Sequence, residues 1–198
     1  MRLPFGGRFV FITFKVKFNT PLKPKVILEG KQFEVTILRL CHQLIENHGD
    51  FKDTVIIGLQ PRGIYLANRI TTELRKILKN KKVNCGNLDI TFFRDDFRKK
   101  ELIPNSTTID FIIEDKNVIM VDDVLFTGRT IRAGLDAMLA FGRPKDVELL
   151  VLVDRRFSRN VPIQAKYTGM VIDSIESQNV KVDWKELDGK DRITLFTK

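Results

Sequence analysis

The chain has 198 residues, of which 43% are hydrophobic and 30% charged, and its formal net charge is +9. This composition is typical of a folded domain and excludes a mainly disordered chain. The two cysteines are too few for a disulfide framework, so a reducing cytoplasm is the expected compartment. No apolar run reaches the roughly 18 residues that a membrane helix needs. The basic balance favours partners that carry phosphate groups, either nucleotides or nucleic acid.

The positive charge is concentrated in residues 1–25, which contain six basic residues, no acidic residue and five phenylalanines. Residues 26–198 contribute a net charge of only +3. Lysines interrupt the apolar stretch of the first segment, and this argues against an export signal. We expect a basic arm that is an edge strand, a loose disordered extension, or a non-native product of an upstream start codon. Residues 26–198 then form the main domain.

The rest of the chain alternates between helical patterns and short apolar runs that are typical of buried strands. In chain order we expect a helix over 33–47, a strand over 54–59, a helix over 66–77, a strand over 88–93, a charged loop over 94–115, a strand over 118–121, a helix over 131–139 and a strand over 147–153. This alternation predicts a parallel sheet with helices on its faces.

The pattern changes after residue 153. Residues 154–159 predict a basic polar loop, and alternating apolar residues on both sides of Asp188-Gly189 predict a hairpin at one end of the sheet. The region over about 154–185 is expected to form a small hood. Its basic side chains would either contact RNA or face solvent; they are Arg155, Arg156, Arg159 and Lys166.

One segment, Val118–Thr130, carries the most informative chemistry. A buried strand is followed by Asp122 and Asp123, and then by the turn Thr127-Gly128-Arg129-Thr130 that opens a helix. Ligands bind at the carboxyl ends of parallel strands, and backbone N–H groups at a helix start form a phosphate cradle. The two acids would repel that phosphate, so we expect them to face sugar hydroxyls or a magnesium-bound group. The simpler alternative is a strand–turn–helix junction with a capping threonine and two solvated acids.

All thirteen positions of this segment resemble the phosphoribosyl diphosphate (PRPP) loop of type I phosphoribosyltransferases. From about Val26 onward, the order of motifs is similar to one branch of that family, the pyrimidine operon attenuation regulators that are also uracil phosphoribosyltransferases. Arg62-Gly63-Ile64-Tyr65-Leu66-Ala67 and Arg94-Asp95-Asp96 belong to the matching stretches. The resemblance implies the type I phosphoribosyltransferase fold, a mostly parallel sheet flanked by helices with a small C-terminal hood.

The resemblance also implies roles for individual residues. The 5′-phosphate would be held by Thr127, Gly128, Arg129 and Thr130, and the reacting ribose would be served by Asp122 and Asp123. Arg62 and Gly63 would form the diphosphate loop, and Arg62 would also be catalytic. Arg94, Asp95 and Asp96 would begin a mobile loop, and Asp154 and Arg155 would belong to the base hood. An RNA-contacting face would include Arg39, His42 and Arg156.

The implied function is twofold. As an enzyme, the chain would convert uracil and PRPP to uridine monophosphate (UMP) and diphosphate, with Mg²⁺ entering through the diphosphate rather than through a protein cage. As a regulator, it would bind leader mRNA of pyrimidine genes in response to UMP. We expect a cytoplasmic homodimer or homotetramer without membrane contact. The alternatives are a transferase without the RNA role, or one that uses a purine or orotate.

The chain departs from the better-known regulators at three places. Gln60-Pro61 stands where they have Lys-Thr, Arg156-Phe157 stands where they have Gly-His, and Met170 replaces a lysine. The last two places belong to the hood, so these departures bear on base and RNA recognition more than on PRPP binding.

Overall fold

The computed structural model describes residues 24–79, 82–95, 103–175 and 177–197. Its helices and strands, in chain order, are β1 (Lys25–Glu29), α1 (Gly30–His48), β2 (Thr54–Leu59), α2 (Gly63–Ile77), β3 (Asn84–Leu88), β4 (Asn117–Leu125), α3 (Arg129–Met138), β5 (Asp146–Arg156), β6 (Tyr167–Asp173), β7 (Gln178–Asp183), α4 (Lys185–Asp188) and β8 (Arg192–Thr197). The basic arm, residues 1–25, lies almost entirely outside the described residues.

Two sheets organise these elements. Five strands form a parallel sheet in the order β3-β2-β4-β5-β6, and β1, β8 and β7 form an antiparallel sheet. The strands β2 and β4 are central and their side chains are almost all buried, which explains their nearly continuous apolar sequences. The predicted parallel sheet with flanking helices and extra C-terminal strands is therefore confirmed.

The parallel sheet has one apolar core on each face. Helix α1 buries Phe33, Ile37, Leu40, Cys41 and Leu44, which recur at helical spacing, and packs with α2 on one face. Helix α3 covers the other face. The turn at residues 127–130 therefore lies between the buried strand β4 and the packed helix α3.

The antiparallel sheet is attached to the α1–α2 side through Trp184, which is fully buried. Its ring meets that of Phe33 edge-on at a centroid distance of 5.6 Å and stacks on Tyr65 at 6.2 Å. The guanidinium of Arg69 lies 5.1 Å from the same ring and forms ion pairs with Glu186 and Asp191, both at 2.7 Å. This cluster fixes the C-terminal hairpin against the helices.

Three local predictions were wrong. The strand expected over 88–93 lies at Asn84–Leu88, because the carboxylate of Asp89 accepts bonds from the Thr91 N–H (3.1 Å) and hydroxyl (2.6 Å) and turns the chain. Residues 154–156, expected in a loop, extend β5, because β6 pairs alongside them. Asp122 and Asp123 lie within β4 rather than after it.

Two strands were not predicted at all. Strand β1 pairs with β8, which lies at the opposite end of the sequence, and β6 adds a fifth strand to the parallel sheet. None of the helices in the described ranges is long and apolar enough to span a lipid bilayer.

Candidate active site

The turn between β4 and α3 borders a cavity of about 270 Å³ at the carboxyl end of β4. Its wall includes Asp122, Phe126 and the whole of 127–130. Gly128 has a φ of +86°, a left-handed conformation that glycine adopts without strain. Because α3 begins at Arg129, the free N–H groups and positive pole of that helix face this end of the cavity. The turn therefore has the geometry of an anion site.

The two adjacent acids are both buried but face different partners. Asp122 lines the cavity, and its Oδ1 accepts a bond from the Asp123 N–H at 2.9 Å. Asp123 Oδ2 accepts a bond from Arg62 Nε at 3.2 Å. Burial, and then the neighbouring Asp123 charge, raise the pKa of Asp122 well above its usual range. Burial also raises the pKa of Asp123, although Arg62 opposes that shift.

The predicted diphosphate loop brings Arg62 to this pair. Its guanidinium also donates to the Val182 carbonyl and, at 3.4 Å, to Asp188 Oδ2, so it links β4 to the C-terminal hairpin. Gly63 begins α2, and a Cβ there would lie 2.4 Å from the Val121 carbonyl oxygen. Only glycine allows this close approach. The preceding Gln60–Pro61 peptide bond is cis.

The first residues of the predicted mobile loop reach the other side of the cavity. Arg94 and Asp95 both line it. The Asp95 carboxylate lies 3.1 Å from Arg132 and 3.9 Å from Arg129, both at the start of α3. The charge of Arg94 also moderates the raised pKa of Asp122. Asp96, the third residue of the motif, lies outside the described residues.

The two hood residues are placed differently from each other. Asp154 pairs with Arg159. Arg155 is buried, its guanidinium stacks 3.8 Å from the ring centroid of Phe126, and it donates to Ser174 Oγ (2.9 Å) and the Gln178 carbonyl (2.6 Å). Burial lowers the pKa of Arg155. Arg155 therefore connects Phe126, which lies in the cavity wall, to Ser174 and Gln178.

Two of the three candidate RNA contacts bond to edge strand β6. Arg39 donates to the Gly169 carbonyl, and Arg156 forms a two-bond pair with Asp173 at 2.6 and 2.9 Å. His42 is exposed one turn after Arg39 on α1. Arg39 and Arg156 thus each bond to a residue of β6, and His42 lies near Arg39 on the exposed side of α1.

Sequence reasoning did not anticipate the positions of Phe126 and Arg159. Phe126 lies inside the thirteen-residue segment, but its stacking partner comes from β5. The sequence pattern predicts Arg159 only as a hood charge, whereas its donors reach the carbonyls of Leu125 and Phe126. No local pattern marks such contacts, because the partners are 29 to 34 residues apart.

The donor set also bears on metal binding. Within the described residues, no group of three or more acidic, histidine or cysteine side chains is arranged to hold a metal ion. The carboxylates at the cavity would fit a cation held mainly by substrate phosphates, which is how Mg²⁺ usually binds.

Comparison with protein families places this geometry in context. Residues 25–187 match the model of the phosphoribosyl transferase domain. The bifunctional protein PyrR of Desulfosudis oleivorans is 44% identical over 173 residues, which cover 86% of this chain and 95% of that protein. The bifunctional protein PyrR of Clostridioides difficile is 40% identical over 171 residues, covering 85% and 96%.

The fold is also shared with solved structures. A hypoxanthine phosphoribosyltransferase from Staphylococcus aureus superposes with a TM-score of 0.62 at 21% identity, covering 88% of this chain and 92% of that one. A hypoxanthine-guanine phosphoribosyltransferase from Bacillus anthracis gives a TM-score of 0.61 at 22% identity, with coverages of 89% and 100%. At these identities the similarity concerns the fold alone.

Proposed function

The chain belongs to the phosphoribosyltransferase family, in the pyrimidine-regulator branch whose curated members are named bifunctional protein PyrR, and from this premise we propose that it transfers phosphoribose from PRPP to uracil. The observation that carries the proposal is the anion-binding turn at 127–130 beside two buried acids at the end of β4. An ordinary solvated junction would not bury both acids, since burying a carboxylate is costly.

The proposed reaction joins N1 of uracil to C1 of the ribose, with loss of the N1 proton, while the bond from C1 to the diphosphate oxygen breaks. Residues 127–130 hold the 5′-phosphate and so fix the ribose. Asp122 and Asp123 contact the ribose hydroxyls and offset the positive charge that builds at C1. Positioning and charge stabilisation of this kind are the main sources of rate enhancement when the protein forms no covalent bond.

Arg62 and Gly63 form the proposed diphosphate loop. The guanidinium of Arg62 is held beside Asp123 and is one-third exposed, so it can offer its charge to the leaving group. Mg²⁺ bound through the diphosphate would supply charge neutralisation, and the protein carboxylates at the cavity would help to orient it. Arg94 and Asp95, which line the cavity, flank the sugar, and Asp154 with Arg155 supports the base side.

A second role, UMP-dependent binding of leader mRNA, is included in the proposal because the relatives are named bifunctional proteins and because Arg39 and Arg156 both bond to edge strand β6, with His42 exposed near Arg39. The protein acts in the cytoplasm as a homodimer or homotetramer. The match to the family model begins at residue 25, so we expect removal of the basic segment before it to leave both roles unchanged.

The base is tested by side-by-side turnover of uracil, hypoxanthine and orotate with PRPP and Mg²⁺. Uracil is expected to react at least 100-fold faster than the other two. Faster turnover of hypoxanthine or orotate would replace uracil by that base.

The RNA role is tested by filter binding of leader RNA with and without UMP. UMP should tighten binding, and the affinity should fall steeply with added salt, because phosphate contacts release counterions. Absence of binding would leave the transferase role alone, and an affinity that UMP leaves unchanged would overturn the UMP dependence.

A further inference from the structure

Arg159 forms more hydrogen bonds than a solvent-exposed hood residue would be expected to form. Its Nη1 donates to the carbonyl oxygens of Leu125 (3.2 Å), Arg155 (2.9 Å) and Phe126. Its Nε donates to the carbonyl oxygen of Ile163 at 3.2 Å, and its Nη2 pairs with Asp154. One guanidinium thus joins the ends of β4 and β5 to the segment that follows β5.

The next two residues continue the same contact. The N–H groups of Asn160 and Val161 both donate to the Thr127 carbonyl, at 2.9 and 3.2 Å. Three consecutive carbonyls, those of residues 125–127, are therefore bound by the single segment 159–161. Val161 also packs against the turn, since a Cβ on Gly128 would lie 3.3 Å from the Val161 Cβ.

The direction of these bonds has a consequence for the turn. In a trans peptide, the carbonyl of one residue and the N–H of the next lie in one plane and point in opposite directions. Drawing the carbonyls of residues 125–127 toward segment 159–161 turns the N–H groups of Phe126, Thr127 and Gly128 the other way. Those three residues line the cavity, so their N–H groups are oriented toward an anion there.

We propose that Arg159 is a positioning residue for the 5′-phosphate: it orders the turn before substrate binds, although it does not touch the phosphate itself. Arginine suits this task because its planar group has five N–H donors, whereas lysine has three on a flexible stem. The inference rests on the proposed function.

The test compares Arg159→Lys and Arg159→Ala with Arg143→Lys and Arg143→Ala, since Arg143 is exposed and outside the site. Calorimetry measures the affinities for PRPP, UMP and uridine, and steady-state kinetics measures KM and kcat for both substrates. Arg159→Lys should weaken PRPP and UMP about 10-fold and Arg159→Ala about 50-fold. Uridine affinity, the KM for uracil and the behaviour of both Arg143 variants should stay within twofold of wild type.

The readout separates a phosphate effect from general damage. Loss confined to phosphorylated ligands, with circular dichroism unchanged, supports the proposal. PRPP and UMP affinities within twofold of wild type in both Arg159 variants would overturn it, and so would an equal loss for uridine. A wild-type chain that binds PRPP but does not use uracil would refute the proposed base and leave the role of Arg159 standing; one that binds no PRPP would refute both.

Discussion

At the amino ends of β2, β5 and β6, the buried imidazole of His48 lies 3.1 Å from Thr54 Oγ1, 2.9 Å from Glu148 Oε2 and 3.0 Å from Tyr167 Oη. Tyr167 donates to the same carboxylate at 2.7 Å, and Lys166 contacts its other oxygen. At the carboxyl end of β4, Asp122 and Asp123 are equally buried, but they lie side by side, and Arg62 reaches Asp123.

The pKa of a buried carboxylate therefore shifts in opposite directions at the two ends of the sheet. Burial raises the pKa of Glu148, but bonds from Lys166, Tyr167 and His48 outweigh it, so its pKa falls below the usual value. The pKa values of Asp122 and Asp123 rise instead. At the amino end the charge of the carboxylate is compensated by its donors, whereas at the carboxyl end it is compensated only in part, as the proposed role of stabilising a cationic transition state requires.

The largest effect is expected from replacing Asp122 and Asp123 together by Asn. Turnover should fall at least about 1,000-fold, because two groups that offset charge at C1 are lost. Steady-state kinetics with saturating PRPP measures this, and circular dichroism checks the fold. Asp136→Asn, an exposed acid on α3, is the matched control. Turnover within tenfold of wild type would contradict the role given to the pair.

Relative to wild type, the same variant should also become more stable as the pH rises. An acid whose pKa is higher in the folded than in the unfolded state costs stability as pH rises through that interval. The Asn variant avoids this cost, so its Tm relative to wild type should increase from pH 4 to pH 8.

The second effect concerns the amino end. Glu148→Gln should lower the free energy of unfolding by about 1–3 kcal/mol at pH 7, since the carboxylate that accepts bonds from Lys166, Tyr167 and His48 loses its charge. Because the folded pKa of Glu148 is lowered, its contribution is present above the unfolded pKa and disappears as pH falls through the folded one. Urea unfolding at pH 7 and pH 3 measures both values.

Activity gives the control for this second prediction. Glu148 is at the opposite end of the sheet from the cavity, so kcat and the KM for PRPP should match wild type at temperatures where the variant is folded. A loss of kcat without loss of stability would show that the two ends do not work separately.

The same contrast explains how much of the site can be predicted from sequence. The chemistry at the carboxyl end is contiguous, so a thirteen-residue segment predicts its strand, its acids and its turn. The contacts that position this segment are remote: Arg159 is 34 residues from Leu125, and Arg62 is 61 residues from Asp123. Periodicity reports which face of an element is buried, and it contains no information about which distant carbonyl a guanidinium reaches.

The fold follows the same rule. The strands β2 and β4 are buried on both faces and have apolar runs that predict them within a few residues. Strand β1 exposes most of its side chains and is stabilised by pairing with β8, and β3 has the sequence Asn-Cys-Gly-Asn-Leu, which has no strand pattern. Pairing partners decide these strands, and a single sequence does not contain that information.

The smallest effect is expected at Asp95, an exposed carboxylate at the carboxyl end of the sheet. Its pair with Arg132 has side-chain exposures of 40% and 44%, and such pairs contribute at most about 1 kcal/mol. Since Asp95 competes with the 5′-phosphate for the charges of Arg129 and Arg132, Asp95→Asn should tighten UMP binding about two- to threefold at low salt. The gain should vanish at 0.5 M salt, because exposed charges are screened. Calorimetry measures the affinity for UMP, with Asp136→Asn as the control. Weaker UMP binding would instead mean that Asp95 holds the ligand. Both ends of the sheet would then use compensated carboxylates.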